Sequence, residues 1–149
     1  MTRQHAPILA GLALAACAAG ASAQMTPVGQ WRTTDEKTGE PKSVVAITEQ
    51  GGALSGTVEK FLRPGADPAR RCTECTDDRK DQPMLGMAII RGGQKAEGKD
   101  VWEGGRILDP ETGKEYRASY TPIEGGAKLE VRGYLGPFWR TQTWTRQQP

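Results

Sequence analysis

The chain has 149 residues, with 20 basic against 18 acidic side chains and a formal net charge of +2. The basic residues are scattered among acidic ones, which excludes the concentrated positive face of a nucleic-acid binder. The single histidine is His5, in the leader, so the rest of the chain cannot use Ser-His-Asp or Cys-His nucleophiles, histidine acid–base chemistry or imidazole metal ligation.

Residues 1–23 read as an export signal. Arg3 starts it, residues 8–19 form an apolar run, and Ala21-Ser22-Ala23 is an A-x-A cleavage site. Cleavage after Ala23 predicts a periplasmic or secreted product whose residues 24–149 form one domain. A second reading stays open: Leu14-Ala15-Ala16-Cys17 has the form of a lipobox, in which Cys17 would be lipidated and anchor a lipoprotein. A-x-A cleavage would discard Cys17. No later segment is apolar enough to span a bilayer as a helix.

From there the chain reads as short strands between glycine-rich turns. Residues 28–34 form a first strand and 43–49 a second, with Val45 and Ile47 on one face. Gln50-Gly51-Gly52 is a hairpin turn, and Leu54, Gly56 and Val58 alternate along a third strand. Residues 84–91 are almost continuously apolar, which predicts a strand covered on both faces. Residues 101–108 follow, then the turn Asp109-Pro110-Glu111-Thr112-Gly113. Tyr116, Ala118 and Tyr120 line one face of the next strand. Gly125-Gly126 turns the chain into residues 128–134, and 139–146 close it. About eight strands joined by hairpin-length links predict an all-β, antiparallel up-and-down barrel, whose closure removes exposed edges. A β-sandwich has the same periodicity and stays open as the alternative.

One irregular stretch, residues 63–83, interrupts this pattern. It holds Pro64, Pro68, Pro83 and the pair Cys72-Thr-Glu-Cys75. A long loop in a compact domain is usually functional or tied down. An exported chain favours a structural disulfide, worth about 2 kcal/mol for so short a ring. A redox pair of thioredoxin type would open a helix whose dipole lowers the thiol pKa. The next residues here are instead Thr76-Asp77-Asp78, whose carboxylates oppose a thiolate, although Arg70 and Arg71 favour it. Metal binding would need two further ligands, such as Asp77 and Asp78. The run from Asp77 to Asp81 is expected to be a solvated, self-paired charge cluster of little energetic weight.

Nine aromatic side chains are spread over most strands, more as core than as ligand box. A barrel that does not fill its interior leaves an apolar cavity, and Trp31, Trp102, Tyr116, Tyr120 and Trp144 are the candidate ligand-binding residues. Trp144 shares its strand face with Arg140, Gln142 and Arg146. A guanidinium beside an aromatic can be a cation–π packing pair or one wall of a half-polar pocket.

Gly29-Gln30-Trp31 resembles the G-x-W that opens lipocalin-type barrels. The resemblance implies a late arginine packed across Trp31 to close the base, with Arg140 or Arg146 in that role. More of the chain resembles an exported bacterial family, domain of unknown function 2147. The matching segments are Thr26-Pro27-Val28-Gly29-Gln30-Trp31, the run from Cys72 to Lys80, Gly105-Arg106-Ile107-Leu108-Asp109-Pro110 with Gly113-Lys114, Leu129 to Tyr134, and Arg140 to Arg146. What it implies is a lipocalin-like barrel in the cell envelope. It implies no reaction, cofactor or metal, and fold alone does not license a ligand.

Three functions follow in order of expectation. The first is binding or carriage of a small hydrophobic or amphipathic ligand. The second is an envelope interaction or structural module with a filled core, presenting the 72–80 loop to a partner. The third is an enzyme resting on Cys72 and Cys75 or on Asp77, Asp78 and Glu103. The oligomeric state is not readable from sequence.

Overall fold

The computed structural model describes residues 24–148; the expected leader, with Cys17 and the expected cleavage site after Ala23, lies outside them. Nine strands follow one another: β1 (Gly29–Thr34), β2 (Pro41–Gln50), β3 (Ala53–Phe61), β4 (Ala88–Arg91), β5 (Gln94–Lys95), β6 (Trp102–Asp109), β7 (Lys114–Ile123), β8 (Lys128–Leu135) and β9 (Phe138–Arg146). Each pairs antiparallel with its neighbours in the order β4-β3-β2-β1-β9-β8-β7-β6-β5, and a further β4–β6 pairing closes the sheet into an eight-stranded barrel. The two-residue β5 pairs only with the outer start of β6. The barrel rather than the sandwich is thus the architecture, as closure of consecutive hairpins allows.

The alternation read from sequence sets the inside and the outside. Val45 and Ile47 on β2, Leu54 and Val58 on β3, Ala118 and Tyr120 on β7, and Leu129 and Val131 on β8 are buried in one core. Small residues sit where elements approach closely. A Cβ at Gly105 would lie 2.6 Å from the Gly92 carbonyl oxygen, so only glycine lets the β4–β5 link cross β6 there.

One expected strand is corrected. Of residues 84–91 only Ala88–Arg91 is strand; Gly86 takes a positive φ of 79° and turns the chain before it. Met84 and Met87 are apolar because they are buried under the long 62–87 connection, not because a two-sided strand contains them. That connection supplies Cys72, Cys75, Met84 and Met87 to the same core as the barrel strands.

The barrel has two weak seams. β4 meets β6 through only two residue pairs, Ile90 with Ile107 and Arg91 with Arg106. β1 meets β9 through two, Trp31 with Arg146 and Arg32 with Thr145. By contrast β8 and β9 pair over eight residues. Both seams part toward the end that carries the 62–87 connection and the β1–β2, β6–β7 and β8–β9 turns. We call that end the mouth and the opposite end the base.

Candidate functional site

At the base, Trp31 is fully buried and its Nε1 donates to the Pro27 carbonyl at 2.7 Å. Arg146 lies over its ring, the guanidinium carbon 4.2 Å from the centroid. The same guanidinium donates to the carbonyls of Gly126 at 2.7 Å, Val28 at 2.8 Å and Thr26 at 2.8 Å. No carboxylate among the described residues pairs with it, and burial draws its pKa below the usual arginine range. One side chain therefore ties the N-terminal segment, the β7–β8 turn and β9 together over an aromatic face. Arg140 is elsewhere: it stands exposed at the mouth and pairs with Glu36 at 3.1 Å.

The remaining candidate ligand residues are distributed inside the barrel. Trp102 is buried near the base, where its Nε1 donates to Glu49 at 2.9 Å and Lys95 covers its ring. Trp144 is buried and donates to Gln142 at 3.0 Å. Tyr116 is half-buried beside Gly133. Tyr120 is fully buried, and its hydroxyl has no hydrogen-bond partner among the described residues. Burial alone pushes that phenol above its ordinary pKa, so it stays protonated and offers a donor as well as an acceptor. All of the five candidates but Tyr116 belong to the buried core cluster, and none of the five lines either of the two surface clefts.

At the mouth, Cys72 and Cys75 form a disulfide, with Cα atoms 5.4 Å apart and both residues buried. The residues after it turn rather than start a helix. The Cys72 sulfur lies 3.2 Å from the Pro110 carbonyl oxygen. Gly113, at φ +71°, lets the β6–β7 turn press onto the disulfide turn, where any Cβ would overlap the Glu74 carbonyl. The short cross-link thus shapes a surface that fits one particular turn.

The charge run beside it is not simply solvated, contrary to expectation. The Arg79 side chain is only 4% exposed and forks between Asp77 and Glu115, while its Nη1 donates to the Ala88 carbonyl at 2.9 Å. It plugs the gap where β4 and β6 part, and a guanidinium suits this because its planar fork satisfies several acceptors at once. Hydrogen bonds from the Arg79 side chain and backbone hold the Asp77 carboxyl at a pKa of about 2. Asp78 is bound by both ends of Arg91, at 2.9 and 2.8 Å, and its pKa is lowered by that contact. A second cluster gathers at Glu111 in the β6–β7 turn. Lys42 and Arg63 reach it at 2.8 Å and Arg70 at 3.2 Å, and Arg63 also pairs with Asp35. Burial raises the Glu111 pKa, but Lys42 and Arg63 together outweigh it and the net shift is downward. The solvated-run reading missed Arg79 because a charge pattern does not show which member turns inward. Glu111 and Gly113 were visible in sequence only as turn residues.

Two clefts open at the surface. One, of about 360 Å³, runs between the 78–79 turn and residues 82–88. The other, of about 650 Å³, lies where β1 and β9 part, lined by Thr34, Glu36, Lys37 and residues 140–143. Glu103, on the outer face of β6, joins neither.

A closed, eight-stranded antiparallel barrel with an N-terminal G-x-W under a late arginine defines a lipocalin-like protein. A solved structure of the same build is similar over most of its length: "Protein HP1028 from the human pathogen Helicobacter pylori belongs to the lipocalin family", at TM-score 0.69 and 18% identity, covering 81% of this chain and 82% of that one. Residues 29–146 match the family model described as "Uncharacterized protein conserved in bacteria (DUF2147)", and the chain belongs to that family. No curated relative matches.

Proposed function

We propose that this is an exported cell-envelope protein that binds and carries a small hydrophobic or amphipathic ligand within its barrel. Fold and family suggest a binding protein rather than a catalyst. The observation that carries the reading is the Tyr120 hydroxyl, a buried polar atom without a hydrogen-bond partner among the described residues, in a core otherwise made by Trp31, Trp102, Trp144, methionines, the disulfide and aliphatic side chains. A buried polar group left unpaired costs about 1–3 kcal/mol, so such a site favours an occupant with one hydrogen-bonding group and an apolar body. Room for it requires interior side chains around Tyr120, such as Leu54, to repack.

Native mass spectrometry and solvent extraction of the purified protein test this. An apolar or amphipathic molecule should be recovered, and a fluorescent fatty acid should bind, more weakly by about tenfold in Tyr120→Phe. Recovery of nothing above background, with no binding of the probe, counts against carriage. Intact mass of the mature protein tests export: loss of residues 1–23 supports a soluble periplasmic or secreted product, and a lipidated Cys17 supports the anchored alternative. The ordering of the 72–80 loop by its disulfide and by Arg79 favours one second reading, an interaction module that presents that loop; it survives if neither ligand nor probe binds.

A further inference from the structure

The two seams of the barrel are built alike and finished differently. Where β4 and β6 part, the chain's own 77–79 turn fills the gap and Arg79 caps the Ala88 carbonyl. Where β1 and β9 part, the Glu36 side chain reaches across, accepting from Arg140 at 3.1 Å and from Gln142 at 2.5 Å, but no backbone among the described residues pairs with β9 there, and the space is the 650 Å³ cleft.

The backbone bordering this cleft is strand edge. The Arg146 N–H points to β8, donating to the Ala127 carbonyl, and the Gln147 N–H points to β1, donating to Gln30. Strand alternation then directs the N–H and C=O of Trp139, Thr141 and Thr143 toward the β1 side. Yet β1 pairs with β9 only at Arg146 and Thr145. Those three residues form a ready row of donors and acceptors on the open side. β9 itself carries no proline or lysine; Arg140 on it and Lys37 from the facing turn are the basic side chains that border the edge. Exposed aromatics stand on the same strand: Phe138 is 74% exposed and Trp139 64%.

We propose that the β9 edge is a docking site for an extended strand of a partner protein, which adds antiparallel or parallel to β9 and fills the seam. Alternating donors and acceptors at strand spacing are matched only by another extended backbone, which fixes the class of partner. Charge narrows it further. Arg140 offsets Glu36, and Lys37 has no ion-pair partner among the described residues, so the cleft favours an acidic side chain on the incoming strand's inner face. Trp139 favours an aromatic or β-branched residue on its outer face. A second copy of this chain fits less well. Antiparallel registers centred on Arg140 or Thr141 set Arg140 opposite or diagonal to the other copy's Arg140, and one centred on Gln142 sets it diagonal to the other copy's Arg146, like-charge contacts in each case.

The test is selection of peptides from a random dodecapeptide display library on the purified protein. Enriched peptides should be proline-free, alternate acidic with aromatic or β-branched residues, and slow amide exchange at Trp139, Thr141 and Thr143. Thr141→Pro removes an N–H that faces the cleft and none that faces β8, so it should weaken selected peptides about tenfold or more. Methylating alternate backbone nitrogens of the peptide should do the same against the unaltered protein, which separates lost docking from a folding defect. Absence of enrichment, or peptides indifferent to both changes, overturns the assignment. A concentration-dependent dimer abolished by Thr141→Pro overturns it in favour of self-association. Fluorescent fatty acid binding should be unchanged by Thr141→Pro, so the docking edge and the carrier reading stand or fall separately.

Discussion

Arg79 shows how much one inward turn of a side chain changes the energetics of a charge run. Its partners Asp77 and Glu115 are partly exposed, but the guanidinium itself is nearly out of water. Arg79→Ala leaves two carboxylates and the Ala88 carbonyl facing a void, and should cost about 2–3 kcal/mol in urea denaturation. Arg79→Lys should recover only part of it, since an ammonium cannot reproduce the fork. The same contact makes stability depend on pH. The folded pKa of Asp77, about 2, lies below the ordinary aspartate value of 3.8. The unfolded chain therefore binds the proton more readily, and the contribution is complete above about pH 4 and lost as pH falls toward 2. Thermal denaturation across that window should show a fall in midpoint that is smaller in Asp77→Asn. An equal fall in the two proteins would assign the acid sensitivity to other carboxylates.

The 62–87 connection behaves as an element although it holds no regular strand beyond one bridge, Arg71 with Pro83. Its own backbone bonds, the disulfide and the Gly113 contact give it one shape, and its four buried apolar side chains join it to the barrel core. Replacing Cys72 and Cys75 together by serine opens a very small ring, worth about 2 kcal/mol, and also buries two hydroxyls beside Pro110. The loss should be local. Hydrogen exchange should speed up over residues 70–87 while β7, β8 and the β8-facing amides of β9 keep their protection. Uniform loss over all strands would mean that the loop is part of the barrel's cooperative unit.

At the scale of the whole molecule, closure is uneven. Long ladders join β2 to β3 and β7 through β9, and two-pair seams complete the circle. Native-state exchange should reveal the open seam directly. The amides of Trp139, Thr141 and Thr143 should exchange fast, and those of Arg140 and Gln142, held by β8, slowly. Equal protection along β9 would show that the seam is closed in solution.

Much of this was legible in the chain. Val45 with Ile47, Ala118 with Tyr120, and Leu129 with Val131 declared the inner faces, because a strand's period of two is local and needs no partner to be read. Gly29-Gln30-Trp31 marked the base through its resemblance to the G-x-W of lipocalin-type barrels, a short motif that is read without knowing its partners. What sequence left open was decided by contacts between distant segments. Arg146 rather than Arg140 reaches Trp31 because the antiparallel pairing of β1 with β9 sets those two residues directly opposite each other. Met84 and Met87 are apolar for a loop's burial rather than a strand's, and Arg79 turns inward because β4 and β6 part beside it. A sequence carries its periodicities residue by residue. Which strands fall short of one another, and so whether a gap is filled by the chain or left for a partner, exists only once the barrel has closed.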